Sequence, residues 1–364
     1  MGDITQGTFN PAAHYPWHLT ELPVTSREDD RPNVVTTFSS GGGSTMGYKL
    51  AGYHVDGAVD IDPEMMEVYS RNFTTPNKCV MGVGDVVKNR PDLVEKWQDI
   101  DVLDGSPPCT LFSKARKGGG EGDWGKTKKF REGQAEQVLD RLFFDYLDLV
   151  KALNAKTFIA ENVATMAQGK ARGYVKAVVE TAKRYGYRAQ VFIVRASDQG
   201  VPQQRNRIFF IGIRDDLAKH LPLLPAVPPA GQVVPELALG NLKCDGKHEH
   251  VKASQALAIW NAEYRYNDRE KMTASGFTPY YSGSIAIRPN KQCTGIAASA
   301  KAFVWSCPRW TTPTERKRMF SFPDDYQVPD RLVNYVTGMS VPPFLMRGVA
   351  AHVKTYWLDK MEGR

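Results

Sequence analysis

From Asn33 to Arg214, short β-rich runs alternate with longer helix-patterned stretches, the order of elements that builds a parallel sheet covered by helices. Val34 to Phe38, Val55 to Ile61, Val102 to Gly105, Thr157 to Ala160, Arg188 to Arg195 and Ile208 to Ile213 are predicted strands. Val138, Leu139, Leu142, Phe143, Tyr146, Leu149, Val150 and Leu153 recur at helical spacing, which predicts one long amphipathic helix with its apolar stripe on the sheet. The pattern breaks at Leu221, where LPLLPAVPPAGQVVP sets prolines too densely for a helix or a central strand. From there to about Ser306, Gly, Lys, Asn, Tyr and Trp mix without a clean period, and pattern alone assigns that part no fold.

Composition adds bounds. A chain of 364 residues with 42% hydrophobic content can bury a full core, in one large domain plus a smaller one. No run of eighteen apolar residues occurs, and Met1 to Asp30 lacks the order of a signal peptide, so an intracellular protein with no membrane partner is expected. The 5 cysteines (Cys79, Cys109, Cys244, Cys293, Cys307) show no CxxC pairing and suggest neither a disulfide framework nor a metal site. A net charge of +7 fits a polyanionic partner, although many basic proteins bind no nucleic acid. The one strongly biased segment is Lys114 to Arg131, KARKGGGEGDWGKTKKFR, rich in glycine and basic side chains.

Candidate chemistry starts after the first strand. VVTTFSSGGGSTMGYKLAG places Gly41, Gly42, Gly43 and Gly47 at the opening of a helix, where small residues let the backbone approach a ligand. The second strand ends in Asp60, positioned to accept from a ribose diol, and Asp85 in GVGDVV could accept from an adenine amino group. These features fit NAD, FAD or S-adenosylmethionine alike. Downstream, DVLDGSPPCTLFS sets Cys109 just past a strand's C-terminal end, where open α/β sheets bind ligands. TFIAENV brings Glu161 and Asn162 to another strand end, and GVPQQRNRIFFIGIR brings Arg205 and Arg207, two apart and so on one face of an extended segment. Each has a plain structural explanation singly; their order and neighbours argue for a shared site.

Together these segments resemble the cytosine-5 DNA methyltransferases of bacterial or phage type, from Val34 to the chain's end. FSSGGGSTMGYKLAG is similar to the family's first motif, SPPCTLFS to its Pro-Cys motif, AENV to its Glu-Asn-Val motif and PQQRNR to its Gln-x-Arg-x-Arg motif. RWTTPTERKRMFSFPDDY and GMSVPP are similar to its two closing patterns.

The resemblance implies an S-adenosylmethionine-dependent, Rossmann-like, mostly parallel sheet with a small irregular target recognition domain. It divides the chain into a catalytic and cofactor-binding domain (1–215 plus 329–364) and a recognition domain (216–328). Carbon 5 of cytosine is a poor nucleophile and must first become enamine-like. The resemblance therefore implies that Cys109 attacks carbon 6 of a flipped-out cytosine in a specific duplex sequence, while protonated Glu161 donates to ring nitrogen 3. Arg207 would hold the O2 oxygen and Arg205 would orient the Cys109 and Glu161 segments. Carbon 5 then takes the methyl group, and loss of its proton with expulsion of Cys109 restores the ring, without a metal. For the cofactor, Phe38, Ser39, Gly42 and Gly43 are implied on the methionine side, Asp60 at the ribose, Ile61, Asp85 and Val86 at the adenine, and Pro108 and Leu142 at the sulfonium. Ser340 and Val341 would return to the pocket, followed by a helix from Pro343 to Thr355.

The implied partner is double-stranded DNA, bound by a monomer, with a companion restriction endonuclease and a cytoplasmic, nucleoid-associated location. The Lys114 to Arg131 segment takes the place of the family's active-site loop, its glycines allowing movement and its basic groups meeting phosphates. Trp260, Tyr264, Arg265, Tyr266, Arg269, Tyr280, Tyr281 and Arg288 mix aromatic and basic character, although core packing is the more ordinary role for the aromatics. Three residues depart from the family pattern: Ser40 replaces a glycine, Thr110 a frequent glutamine, and Met339 the closing asparagine. A branch acting on transfer RNA, an inactive partner subunit and a nucleotide-linked dehydrogenase remain as competing readings.

Overall fold

The computed structural model describes residues 9–108, 127–128, 137–138, 141–240, 284–304 and 309–361, with backbone alone at 127–128, 137–138, 170, 284 and 286. Its frame is a seven-stranded sheet: β1 (Asn33–Thr37), β2 (His54–Asp60), β3 (Asn77–Val80), β4 (Val102–Gly105), β5 (Thr157–Val163), β6 (Tyr187–Arg195) and β7 (Asn206–Arg214). The strand order is β3-β2-β1-β4-β5-β7-β6; the first five run parallel, and β7 is antiparallel to both neighbours. Strands β2 and β4 are buried at every position, as the inner strands of a parallel sheet covered on both faces are.

One apolar cluster, holding Val34, Val55 and Ile211, lies on the face covered by α1 (Gly43–Leu50) and α7 (Pro343–Val353). The opposite cluster, with Val35, Leu103, Phe158 and Phe210, lies under α3 (Leu142–Ala152) and α4 (Arg172–Arg184). Successive strand residues Val34 and Val35 thus feed opposite cores, as the pleat demands. Helix α7 packs on α1 so closely that a Cβ on Gly47 would lie 2.3 Å from Met346 Cβ. Between β2 and β3, α2 (Pro63–Asn72) begins where Asp62 accepts from the backbone N–H of Glu64 and Met65, with Pro63 in the first turn.

Three details differ from the pattern. Strand β3 was not expected, because NKCV is short and alternates exposed with buried positions at a sheet edge. The helix expected from Val138 starts at Leu142; Gln137–Val138 pairs antiparallel with Thr127–Lys128 instead. Strand β5 runs past Ala160 to Val163, since β7 pairs Phe209 with Glu161 and Ile208 with Asn162.

The proline-rich break lies along β6 and the C-terminal helix. Arg188 donates to the carbonyls of Ala218, Leu221 and Pro222, Gln190 Nε2 to that of Leu224, and Trp357 Nε1 to that of Pro222. Beyond it, β8 (Ser284–Ile287), β9 (Lys301–Val304) and β10 (Arg309–Trp310) form a small sheet, and Cys293–Thr294 pairs with Gln203–Gln204. The last helices are α5 (Pro313–Met319), started by a Thr312/Glu315 capping box, and α6 (Asp330–Met339), which leads into α7. Among the described residues, no helix is long and apolar enough to cross a membrane.

Candidate active site

The turn between β1 and α1 is wound tightly: Phe38, Ser40 and Gly42 have φ of 51°, 46° and 85°. Ser40 therefore adopts the left-handed conformation that glycine enters without penalty, at the position where the family pattern has glycine. Asp60 braces this turn. Its Oδ2 accepts from the Ser40 N–H at 2.7 Å and its Oδ1 from the Asp62 N–H at 2.8 Å. Burial pushes its carboxyl up to about 6, and each oxygen keeps a second acceptor site for a ligand hydroxyl.

The C-terminal turn closes against the glycines. A Cβ on Gly43 would lie 2.3 Å from the Val341 carbonyl oxygen and 2.7 Å from Ser340 Cβ, so only glycine fits. Ser39 is buried beside β2, its hydroxyl donating to Thr36 O and Val59 O. Tyr326 donates to the Gly41 carbonyl at 2.5 Å, and Phe73 covers Gly42. Neither of these two was expected from sequence, although Tyr326 ends the quoted FPDDY. Where the sequence reading expects the adenine, an atom built on Gly82 would lie 3.0 Å from Asp85 Oδ2 and 3.8 Å from Ile61 Cδ1, which puts those side chains around one corner. Asp85 is exposed, and Val86 and Leu142 are buried at the starts of their helices. The Ser340 hydroxyl is buried without a partner among the described residues. A bare glycine turn, an orphaned hydroxyl and a carboxylate with spare acceptor capacity fit the nucleoside-linked amino acid of S-adenosylmethionine.

Glu161 and Arg207 meet at the β5/β7 pair, with Arg207 Nε 2.5 Å from Glu161 Oε1 and both side chains largely buried. Burial lowers the guanidinium's proton affinity while Glu161 supports it. Asn162, next in the chain, donates to the Pro107 carbonyl at 2.9 Å and so ties the end of β4 to the Glu161 strand. Pro108 follows, half-buried; Cys109 and Thr110 lie outside the described residues, as do the Lys114 to Arg131 segment apart from Thr127–Lys128 and all the aromatic and basic candidates after Leu239 except Arg288.

Arg205 goes elsewhere. Its Nη2 donates to Gly338 O at 2.7 Å and Ser340 O at 3.4 Å, its Nη1 to Ile296 O at 3.3 Å, and it lies over the Phe320 ring. Its described hydrogen bonds thus fix the closing turn, not the Glu161 segment it was expected to orient. The same bonds explain how the turn stands without asparagine at 339: carbonyls of the flanking residues carry the bracing, and the Met339 side chain is 43% exposed. Gln203, fully buried, adds bonds to Met319 O and from Ile296 N.

Comparison with known proteins agrees with this geometry. The family model described as C-5 cytosine-specific DNA methylase matches residues 33–355. The type II methyltransferase M.DdeI of Desulfomicrobium norvegicum is 32% identical over 89% of this chain and 89% of its own. M1.HphI of Haemophilus parahaemolyticus is 28% identical over 88% and 86%. Among solved structures, a candidate DNA modification methyltransferase encoded within an Escherichia coli prophage has the same fold, with a TM-score of 0.67, 22% identity and coverage of 89% of this chain and 99% of that one. A Spodoptera frugiperda DNMT2 mutant gives 0.62 at 16% identity, covering 88% and 99%. Glycine turn, strand-end acid and closing turn thus belong to a matched sequence that spans the whole sheet, and the chain is a member of the C-5 cytosine-specific DNA methylase family, which methylates carbon 5 of cytosine in DNA with S-adenosylmethionine as donor.

Proposed function

We propose that this protein modifies a cytosine within a specific duplex sequence through a covalent adduct of Cys109 at carbon 6. The observation that carries the reading is the buried Glu161/Arg207 pair at the end of β5, tied through Asn162 to the segment that enters Cys109. In this reading the base rotates out of the stack, at a cost of roughly a few kcal/mol, and Glu161 in its acid form donates to ring nitrogen 3. Arg207, already beside Glu161, holds the O2 oxygen. Phe38, Ser39, Gly42, Gly43, Asp60, Ile61, Asp85, Val86, Pro108, Leu142, Ser340 and Val341 hold the cofactor, which when bound supplies an electrophilic methyl group. Arg205 supports the closing turn. Residues 216–328 read the target and the remainder (1–215 plus 329–364) catalyses; the basic Lys114 to Arg131 segment closes on phosphates. The named relatives are type II methyltransferases, which supports a restriction-modification role with a companion endonuclease, acting as a monomer in the cytoplasm and on the nucleoid.

The test is trapping with duplexes carrying 5-fluorocytosine, since fluorine cannot leave as the proton does. A denaturant-stable adduct that needs both S-adenosylmethionine and Cys109 is expected, and its DNA gives the target. An adduct that survives Cys109→Ala overturns the assignment; trapping of RNA but not DNA moves the substrate to RNA.

A further inference from the structure

Asp104 is an acid in the middle of the sheet that the reading above leaves without a task. It lies in β4, the middle strand with three others on either side, and is 1% exposed. Its register partners are Thr36 on β1 and Ile159 on β5, so its side chain lies on the face that β4 turns toward α1. There Tyr48 donates to its Oδ1 at 3.1 Å, and the Ser44 hydroxyl, one residue past the Gly43 cradle, holds the carboxyl's proton affinity down. Its Oδ2 is buried with no partner among the described residues. A second orphan, Ser340 Oγ, lies against the same first turn of α1, 3.3 Å from the Cβ position of Gly43. Buried polar atoms left unpaired are costly, and two around one glycine turn point to a ligand that completes both.

The ligand group that completes a carboxylate is a cation. We propose that Asp104 receives the α-ammonium of the S-adenosylmethionine amino-acid tail. This rests on the placement of that tail beside Gly42 and Gly43. The ammonium, rather than the sulfonium, is assigned because the sulfonium belongs beside Pro108, four residues further along the chain, whereas Asp104 shares Ser44 with the glycine turn. Asp104 thus anchors the tail and so positions the methyl group without touching the reacting atoms.

Burial raises the Asp104 carboxyl to about 8, so the free protein holds it neutral at pH 7 and a bound cation would displace its proton. The titratable groups around it are Tyr48 of α1, Tyr146 of α3 and Glu161 of β5; burial keeps both tyrosines neutral across the range that matters.

Calorimetry with two probes tests the assignment: S-adenosylhomocysteine, which keeps the ammonium but lacks the sulfonium charge, and 5′-methylthioadenosine, which has no amino-acid tail. For the unaltered protein, S-adenosylhomocysteine should tighten as pH rises from 6 to 8. Near pH 7 it should release close to one proton, read from buffers of different ionisation enthalpy. Asp104→Asn should weaken S-adenosylhomocysteine on the order of 10- to 100-fold, the worth of a hydrogen bond to a charged group. It should abolish that proton release and leave methylthioadenosine unchanged, which also reports an intact pocket. Equal binding of S-adenosylhomocysteine by both proteins, or no proton release by the unaltered one, overturns the role of Asp104 alone. Equal weakening of both probes overturns it too, as damage to the pocket. Failure of the unaltered protein to bind either probe would overturn the pocket itself. Where Asp104→Asn does not fold, the proton count of the unaltered protein decides.

Discussion

Replacing Arg205 with methionine separates a structural brace from a group acting on the base. The guanidinium makes one short bond, 2.7 Å to Gly338 O, and two long ones, 3.4 Å to Ser340 O and 3.3 Å to Ile296 O. A hydrogen bond from a charged donor is worth about 1.5–3 kcal/mol net, and the long pair adds roughly 1 kcal/mol together. Against this stands the desolvation of a cation flanked by Arg207 and Arg316, which the shorter, uncharged methionine removes. The balance is a loss of about 2 kcal/mol in urea unfolding. Because Ser340 and Val341 close on Gly43, S-adenosylhomocysteine affinity should fall roughly tenfold, by the 1.4 kcal/mol per decade of binding free energy. The single-turnover methylation rate at saturating cofactor and DNA should change less than about threefold, since nothing that touches the base is removed. Unchanged stability and cofactor affinity together with a hundredfold slower single turnover would refute this and return Arg205 to the chemistry.

Glu161→Gln keeps the size of the side chain but breaks its ion pair with Arg207; single-turnover methylation should drop at least about a hundredfold with cofactor affinity within threefold, as for loss of a general acid. Gly43→Ala drives a methyl into the Val341 carbonyl, and loss of S-adenosylhomocysteine binding with about 1–3 kcal/mol of stability is expected from overpacking. Ser40→Gly should stabilise the fold by about 1 kcal/mol in urea, because φ of 46° penalises any residue with a Cβ; no gain would mean that the Ser40 hydroxyl offsets the strain. For pH, the Asp104 carboxyl is raised from its ordinary 3.8 to about 8, so the folded state binds its proton more tightly and the contribution to stability, full below about 4, is lost as pH rises to 8. Melting temperatures across pH 5 to 9 should therefore show Asp104→Asn gaining on the unaltered protein as pH rises, and parallel curves would contradict the buried-acid assignment.

Legible in the residues alone are the elements with strong local signals. A central strand covered on both faces, such as Ile208 to Ile213, must be apolar throughout, and a turn that admits only glycine at Gly43 announces itself. The order of the short motifs likewise marked the family. Asp104 is an acid within a buried strand, a local contradiction between residue type and environment. The edge strand Asn77–Val80 had too few residues for any period to show.

Which distant segment each side chain serves depends on how the elements pack. Arg205 and Arg207 are two apart, yet one joins Glu161 on the neighbouring strand and the other reaches Gly338 and Ser340, more than a hundred residues on. Tyr326, in the loop between α5 and α6, and Ser340, just past the end of α6, reach the glycine turn in the same way, from beyond the long break. Local sequence sets backbone propensity and which face is apolar, but hydrogen-bond partners are chosen by three-dimensional proximity. A buried guanidinium takes whatever carbonyls the fold leaves unpaired beside it.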